Sequence, residues 1–262
     1  MRFSGKVALV VGGANANPEK LMGFAGLAAL EIARNGGRVV VGDIDDDAGT
    51  RSVELMKQDG LDAKYIHLNV TSERDWKSAV DLTVDTYGRL DILIMAAGIA
   101  DRGERMDLTP VEEWRQVMDV TNLGMFFGTR SVIEPMRADG GGSIVLISSI
   151  MAKVTRDIGN NAYSTSRAGM THFARSAAVQ YGPDNIRVNT VLPGWTYTPY
   201  TAPVFDPEWK ERMALRVPLG RVAEASDIAG PILFLASDES KYVTGSELLA
   251  DGGTTAWIGP LD

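Results

Sequence analysis

The sequence predicts an α/β fold in which a doubly wound parallel sheet of about seven strands is flanked by helices within a single domain. Short runs of apolar, mostly β-branched residues alternate with longer segments of helical periodicity along the chain. The short runs are apolar almost throughout, as is typical of parallel strands buried on both faces. No repeat or linker interrupts the 262 residues, a length that one large domain accommodates.

The predicted strands share a length of four to six residues and a high content of valine, isoleucine and leucine. They cover residues 7–11, 38–41, 65–70, 92–95, 143–147, 186–191 and 246–250. The second run leads directly into Gly42 and Asp43.

The predicted helices lie between these strands. They cover residues 24–35, 46–58, 73–87, 110–136, 162–181 and 225–237, and Gly36-Gly37 is a stop signal for the first. Residues 193–218 carry five prolines and several aromatic residues. We interpret residues 194–218 as a substrate loop inserted above the sheet, within one domain that spans 1–262.

Composition excludes several classes of function. The chain has no cysteine and only two histidines, His67 and His172, which argues against disulfides, thiolate chemistry and a histidine-rich metal site. The formal net charge of -8 argues against nucleic acid and anionic membranes as partners. No apolar run has the length of a membrane span, and the first residues do not have the pattern of a signal peptide. We therefore expect a cytoplasmic protein.

A glycine-rich turn follows the first predicted strand. Gly12 and Gly13 end that strand, and a helix is predicted to open near Gly23. Glycines at such a turn let the backbone approach a pyrophosphate, which the N–H groups of the helix N-terminus then bind. Ten residues separate Gly12 from Gly23, which is unusually long. The turn alone is a weak signal, because glycine-rich turns between a strand and a helix are common.

Asp43 strengthens the interpretation as a Rossmann-type dinucleotide site. It ends the second strand, twenty residues after Gly23. A carboxylate there can accept hydrogen bonds from both ribose hydroxyls of NAD, and it repels the 2′-phosphate of NADP. The alternative is that Asp43 caps the next helix, although Asp45 or Asp46 could do so as well. We expect NAD as the cofactor.

Tyr163 and Arg167 predict acid–base chemistry. They lie four residues apart in a predicted helix and therefore on one face of it. A cation beside a phenol favours the phenolate, and such a tyrosine can exchange a proton with a carbonyl or alcohol oxygen. Ser148 and Ser149 end the neighbouring fifth strand, where a hydroxyl can bind the substrate oxygen. An isolated pair of this kind could equally be a surface contact.

A set of short motifs occurs in a fixed order along the chain. The motifs are Gly12-Gly13, Asp43, Ala96-Ala97-Gly98, Ile147-Ser148-Ser149, Tyr163-Ser-Thr-Ser-Arg167, Pro193-Gly194 and Asp251-Gly252-Gly253. Through them the chain resembles the short-chain dehydrogenase/reductase family over essentially its whole length.

The resemblance implies roles for individual residues. Ser149 would donate to the substrate oxygen and Tyr163 would act as acid and base, with Arg167 and Asn122 completing the catalytic group. Thr198 would lie near the nicotinamide carboxamide. The implied cofactor-binding residues are Gly12, Gly23, Asp43, Ile44, Asn69, Val70, Ala97, Gly98, Tyr163, Arg167, Pro193, Gly194, Thr196 and Thr198. The family is commonly tetrameric, so the resemblance also implies a homotetramer or homodimer that uses the last two long helices and the C-terminal strand.

The chain departs from the family pattern in its glycine motifs. Its glycine loop is about seven residues longer, with the additional residues near Asn15-Ala-Asn-Pro-Glu-Lys-Leu21, and Ala25 stands at the third glycine. The family's Asn-Asn-Ala-Gly is Met95-Ala96-Ala97-Gly98 here.

The chain also departs at the proton relay. Arg167 stands where the family has a lysine. Its guanidinium has five donors, so it can hold the phenolate and the ribose, but it does not readily release a proton. The family's helix asparagine aligns with Thr121, and Asn122 could replace it only if the helix shifts by one residue. Tyr163 follows Ser149 by fourteen residues, one more than in the family, so Ser148 is an alternative donor.

The loop after Pro193-Gly194 predicts an apolar substrate. It carries Trp195, Tyr197, Tyr200, Phe205, Trp209 and Met213, which can cover a substrate or simply pack the loop. We expect an oxidoreductase acting on a small hydrophobic alcohol or ketone, such as a cyclic terpenoid, steroid-like or aryl alcohol. The alternative is a weak or inactive dinucleotide-binding protein with a regulatory role.

Overall fold

Seven strands, all parallel, form one sheet at the centre of the protein. The computed structural model describes residues 1–16, 21–156, 159–204 and 207–258. The strands are β1 (Val7–Val11), β2 (Arg38–Asp43), β3 (Ala63–His67), β4 (Ile92–Met95), β5 (Gly142–Ile147), β6 (Ile186–Pro193) and β7 (Glu247–Ala250). Their order is β3-β2-β1-β4-β5-β6-β7, which confirms the doubly wound sheet predicted from the sequence.

Helices cover both faces of this sheet. They are α1 (Phe24–Arg34), α2 (Asp46–Gln58), α3 (Glu73–Tyr87), α4 (Val111–Met118), α5 (Gly124–Ala138), α6 (Asn161–Tyr181), α7 (Pro207–Ala214) and α8 (Ala225–Ala236). Apolar residues of α1, α2 and α8 pack on one face, and those of α3, α5 and α6 pack on the other. In the part of the chain that the structure describes, no helix has both the length and the apolar character needed to cross a membrane.

One predicted helix and the predicted loop differ from the structure. The helix predicted at 110–136 is interrupted by a π-helical turn at Asp119–Leu123, which separates α4 from α5. The turn absorbs an extra residue, and α4 packs on α6 while α5 packs on α3. The predicted substrate loop contains α7, because the run from Glu208 to Arg212 consists mainly of good helix formers.

The third strand is also displaced from its prediction. It ends at His67, whereas the apolar run continues to Val70. Leu68, Asn69 and Val70 instead form the turn that follows the strand, and Leu68 N donates to the carbonyl oxygen of Asp43 at 2.8 Å. The apolar run is therefore divided between a strand and a buried turn.

Strand order reverses between β1 and β4. The chain places β2 and β3 on one side of β1, then returns to place β4 on the other side. The connections on the two sides leave the sheet in opposite directions, so a crevice opens where the carboxyl ends of β1 and β4 meet. This constraint fixes the place where a functional site can form.

Packing between α3 and α5 depends on Gly128. A Cβ atom at this position would lie 2.5 Å from Cη2 of Trp76, which is almost fully buried. We expect Gly128→Ala to lower the free energy of unfolding by about 1–3 kcal/mol, the usual cost of overpacking a core. Thermal unfolding would measure this as a midpoint lowered by several degrees.

Ser131→Ala, on the same helix, is the matched control, because it raises helix propensity without entering the Trp76 contact. Equal midpoints for the two variants would contradict the packing argument.

Candidate active site

A cavity of about 610 Å³ runs along the carboxyl ends of the central strands. Its volume lies in the range of small-molecule sites. Every site residue predicted from the sequence lines it except Asn122. The residues brought together are Gly12, Gly23, Asp43, Ile44, Asn69, Val70, Ala97, Gly98, Ser149, Tyr163, Arg167, Pro193, Gly194, Thr196 and Thr198.

The glycine-rich turn forms one wall of the cavity. Gly12 has φ +79°, and a Cβ atom there would lie 2.7 Å from Ala97 N, so the end of β1 approaches the turn after β4 closely. Gly23 precedes α1 without a side-chain cap, and the first turn of α1 has no acidic residue. Backbone N–H groups at this helix start can therefore serve an anionic group in the cavity.

The longer glycine loop packs against Gly26, which the sequence analysis did not single out. A Cβ atom at Gly26 would lie 2.8 Å from Ala16 N, so the loop and α1 touch through their backbones. Gly26 therefore allows the close packing usually provided by the third glycine of such turns, while Ala25 is buried beside it. Of the additional loop residues, 17–20 lie outside the described part of the chain.

The carboxylate of Asp43 is held at the end of β2. Its Oδ2 accepts from Ala14 N at 3.0 Å and its Oδ1 accepts from Asp45 N at 3.2 Å. The cap of α2 is Asp45, whose Oδ1 accepts from Ala48 N at 2.9 Å. Asp43 is thus not needed as a helix cap, and it faces the cavity.

Tyr65 supports the same strand end from β3. Its hydroxyl lies 2.8 Å from the carbonyl oxygen of Asp43 and 2.6 Å from Oδ1 of Asp46. Burial and the hydrogen bond to Asp46 raise the pKa of Tyr65 well above its usual range, so the phenol remains a donor. It therefore fixes the backbone that presents Asp43.

The two serines after β5 have different hydrogen bonds. Ser148 Oγ donates to the carbonyl oxygen of Arg167 at 2.9 Å, which uses the Ser148 proton. Ser149 Oγ accepts from Met151 N at 3.1 Å. An acceptor bond leaves the Ser149 proton available for a ligand oxygen. The geometry therefore favours Ser149 over Ser148 as a donor into the cavity.

Arg167 is a buried cation beside Tyr163. Its guanidinium carbon lies 4.8 Å from the centre of the Tyr163 ring, and its Nη1 donates to the carbonyl oxygen of Ile147 at 2.8 Å. Its Nη2 occupies the space that a side chain at Gly98 would need. Within the described residues no carboxylate pairs with Arg167, and its Nε has no hydrogen-bond partner. An electron-rich ligand in the cavity would therefore offset the cost of burying this charge.

Asn122 lies outside the cavity lining. The π-helical turn directs it toward α6, where its Nδ2 donates to the carbonyl oxygen of Ser166 at 3.1 Å and lies close to Gly169. Its amide therefore contacts the backbone of α6 and does not reach the cavity. Thr121 Oγ1 and Asn122 Oδ1 are buried without a hydrogen-bond partner among the described residues.

Two aromatic residues of the substrate loop reach the cavity, namely Trp195 and Tyr200. Trp195 packs edge-on against Trp209, with ring centres 5.7 Å apart. Tyr197 lies beside Lys210 instead, and Met213 is not part of the lining. Phe205, another aromatic residue of the predicted substrate loop, lies outside the described residues.

Sequence reasoning did not assign a role to several residues of the cavity wall. Gln116 and Val120 reach it from α4 and the π-helical turn, while Asn160 reaches it from just before α6. Asn160 has φ 61°, in the left-handed region that asparagine tolerates. The dipeptide Gly159-Asn160 before α6 could have indicated this turn from the sequence, since both residues favour such turns.

Comparison with known proteins identifies the family. The family model described as "Enoyl-(Acyl carrier protein) reductase" matches residues 20–255. Cyclopentanol dehydrogenase of Comamonas testosteroni is 39% identical over 256 residues, which cover 97% of this chain and 99% of that enzyme. The 3-alpha-(or 20-beta)-hydroxysteroid dehydrogenase of Mycobacterium tuberculosis is 37% identical over 261 residues, which cover 100% of this chain and 94% of that enzyme.

A solved structure agrees with both sequence relatives. The structure of 7α-hydroxysteroid dehydrogenase with NADH and 7-oxoglycochenodeoxycholic acid matches with a TM-score of 0.89 at 30% identity, covering 96% of this chain and 95% of that one. The similarity extends over almost the whole chain. The chain therefore belongs to the short-chain dehydrogenase/reductase family.

Proposed function

We propose that the protein is an NAD-dependent oxidoreductase that interconverts a hydrophobic secondary alcohol and its ketone, with Tyr163 as the acid and base. The main support for this proposal is that Ser149, Tyr163 and Arg167 line the same cavity as Asp43. The ends of β2 and β5 are three strands apart, which corresponds to about 14 Å at the usual strand spacing. This separation suits an elongated dinucleotide with its reacting end at Tyr163.

The residues present fit a dinucleotide. The uncapped start of α1 would hold the pyrophosphate, and Asp43 would bind the adenosine ribose. Ile44, Asn69, Val70, Ala97 and Gly98 would line the adenosine half, and Pro193, Gly194, Thr196 and Thr198 the nicotinamide half. When bound, the nicotinamide ring provides the site to which the hydride moves or from which it comes.

The side chains account for the proton transfer. In alcohol oxidation, Ser149 Oγ donates to the substrate oxygen, which keeps that oxygen near Tyr163 Oη. Tyr163, which has the Arg167 guanidinium over its ring, accepts the hydroxyl proton as the carbonyl forms. Ketone reduction reverses both movements. Arg167 holds its charge throughout, because a guanidinium does not release its proton near neutral pH.

The substrate end of the cavity favours an apolar ring. Ile150, Met151 and Trp195 contribute to this lining. The cyclic alcohols and steroids in the names of the relatives support the proposed class of a cyclic terpenoid, steroid-like or aryl alcohol. The preference for NAD favours alcohol oxidation as the direction.

The alternative of a weak or inactive regulatory protein has less support. The named relatives are dehydrogenases, and the hydroxyl of Ser149 keeps a proton that can be donated. Arg167 preserves a cation one helical turn from Tyr163, which a purely structural site would not require.

Exposed apolar residues support assembly into a homotetramer or homodimer. Val179 near the end of α6 is 80% exposed and Leu249 on β7 is 45% exposed. Burial of such residues between subunits would be favourable. Both lie on elements where the family resemblance implies subunit interfaces.

Tyr163→Phe tests the acid–base assignment. We expect turnover to fall by at least about 100-fold, because a positioned proton donor typically contributes this much. The measurement is NAD reduction with a panel of hydrophobic secondary alcohols, after calorimetric titration of each protein with NADH. NADH binding would remain within about twofold, since the Tyr163 hydroxyl provides only one of many contacts.

Tyr181→Phe, on the same helix but away from the cavity, is the control. Wild-type turnover by Tyr163→Phe would refute the assignment. A wild-type protein that binds NADH but oxidises no alcohol would favour the regulatory alternative instead.

Asp43→Ala tests cofactor choice. We expect weaker binding of NAD and a loss of discrimination against NADP, because one or two charge-assisted hydrogen bonds of about 1.5–3 kcal/mol are removed. Steady-state kinetics would measure kcat/KM with each cofactor. The ratio of kcat/KM for NAD to that for NADP should fall by about tenfold or more. Asp47→Ala, exposed on α2, is the control. An unchanged preference would assign cofactor selection to another residue.

Arg167→Lys tests whether the site is built around the guanidinium. We expect turnover to fall about tenfold. An ammonium group cannot both donate to the Ile147 carbonyl oxygen and cover the Tyr163 ring. The loss of one charged hydrogen bond, worth about 1.5 kcal/mol, corresponds to a change of about tenfold in rate. Steady-state kinetics would measure the change, with Arg175→Lys on the exposed side of α6 as the control. Equal or higher turnover with lysine would mean that only a positive charge is required.

A further inference from the structure

Asp101 is a buried carboxylate that the proposed reaction does not use. It lies in the segment after β4 and is only 8% exposed. Its Oδ2 accepts a hydrogen bond from Ala162 N at 2.9 Å. Its Oδ1 is buried and has no hydrogen-bond partner within the described residues. Because burial of a carboxylate is costly, the hydrogen bond from Ala162 N helps to offset that cost.

That bond ends on the first turn of α6. The residue before the helix, Asn160, has φ 61° and its side chain makes no capping hydrogen bond. The N–H groups of a first turn need partners from outside the helix. Asp101 supplies such a partner to Ala162 from a segment 61 residues away. The positive end of the helix dipole also favours a carboxylate at this place.

Tyr163 is the third residue of this helix. Fraying of the first turn would therefore move the phenol directly. Arg167, one turn further along, is fixed separately by its bond to the Ile147 carbonyl. Loss of the Asp101 bond would thus displace Tyr163 relative to a cation that stays in place.

Other contacts hold the segment around Asp101 against the same helix start. Asn161 Nδ2 donates to the carbonyl oxygen of Glu104 at 3.3 Å, and a Cβ atom at Gly159 would overlap the backbone of Gly103. Ala100 N donates to the hydroxyl of Tyr200 at 2.9 Å. Two of these contacts join the segment to the helix start, and the third joins it to Tyr200 in the loop after β6.

We propose that Asp101 is a positioning residue for Tyr163. Through Ala162 N it holds the first turn of α6, so that the phenol meets the substrate oxygen while Arg167 covers its ring. The effect on turnover rests on the proposed function, whereas the effect on the start of α6 does not depend on it.

The test compares Asp101→Ala with Asp101→Asn, which keeps an acceptor oxygen without the charge. We expect Asp101→Ala to lower kcat by about 10- to 100-fold, the range produced by small misplacements of reacting groups. The KM for NAD and the affinity for NADH should remain within about twofold, because Asp101 is not part of the cavity wall. Asp101→Asn should recover kcat to within about threefold of the wild type.

Asp139→Ala is the matched control. Asp139 Oδ2 accepts from Leu90 N at 2.9 Å, which is also a long-range bond from a carboxylate to backbone, but it lies at the opposite end of the sheet. We expect this variant to lose thermal stability without loss of kcat. A similar fall in kcat for Asp139→Ala and Asp101→Ala, or wild-type kcat in folded Asp101→Ala, would overturn the proposal. Failure of the Asn variant to recover activity would do so as well.

Hydrogen exchange at the Ala162 amide gives a readout without turnover. Exchange in Asp101→Ala should be at least about tenfold faster than in the wild type, since the amide loses its partner and the first turn frays. Unchanged exchange would overturn the proposal even if the wild type oxidised no alcohol. A wild type without turnover but with faster exchange in the variant would instead count against the proposed function alone.

Discussion

The direction of the strands governs where chemistry can occur in this protein. Since all seven strands are parallel, their carboxyl ends lie along one edge of the sheet. The turns that leave β1, β2, β4, β5 and β6 therefore line one cavity, although their residues are far apart in sequence. Reversal of the strand order between β1 and β4 opens this edge into a crevice. The positions of Asp43, Ser149 and Thr198 all follow from this arrangement.

Much of this arrangement could be predicted from the sequence. The buried strands were recognisable because parallel strands are apolar on both faces, and Asp43 was recognisable because it ends one of them. The order of the family motifs then located Ser149, Tyr163 and Thr198. These features depend on local pattern and on topology, and both leave clear traces in a sequence.

The remaining features depend on tertiary contacts that no local pattern encodes. The π-helical turn at Asp119–Leu123 forms between two helices that pack on different neighbours, and its residues have no distinctive composition. It directs Asn122 onto the backbone of Ser166. The different hydrogen bonds of Ser148 and Ser149 are equally invisible in the sequence, because adjacent residues of one type are distinguished only by what surrounds them.

Among the described residues, Asp43 and Arg167 place charges of opposite sign in the cavity wall. Asp43 provides a negative group at the end of β2, and Arg167 provides a positive group beside β5. The guanidinium stays charged over the whole physiological pH range. An elongated ligand with unlike ends is therefore favoured in one orientation over its reverse, before any reacting group comes into contact.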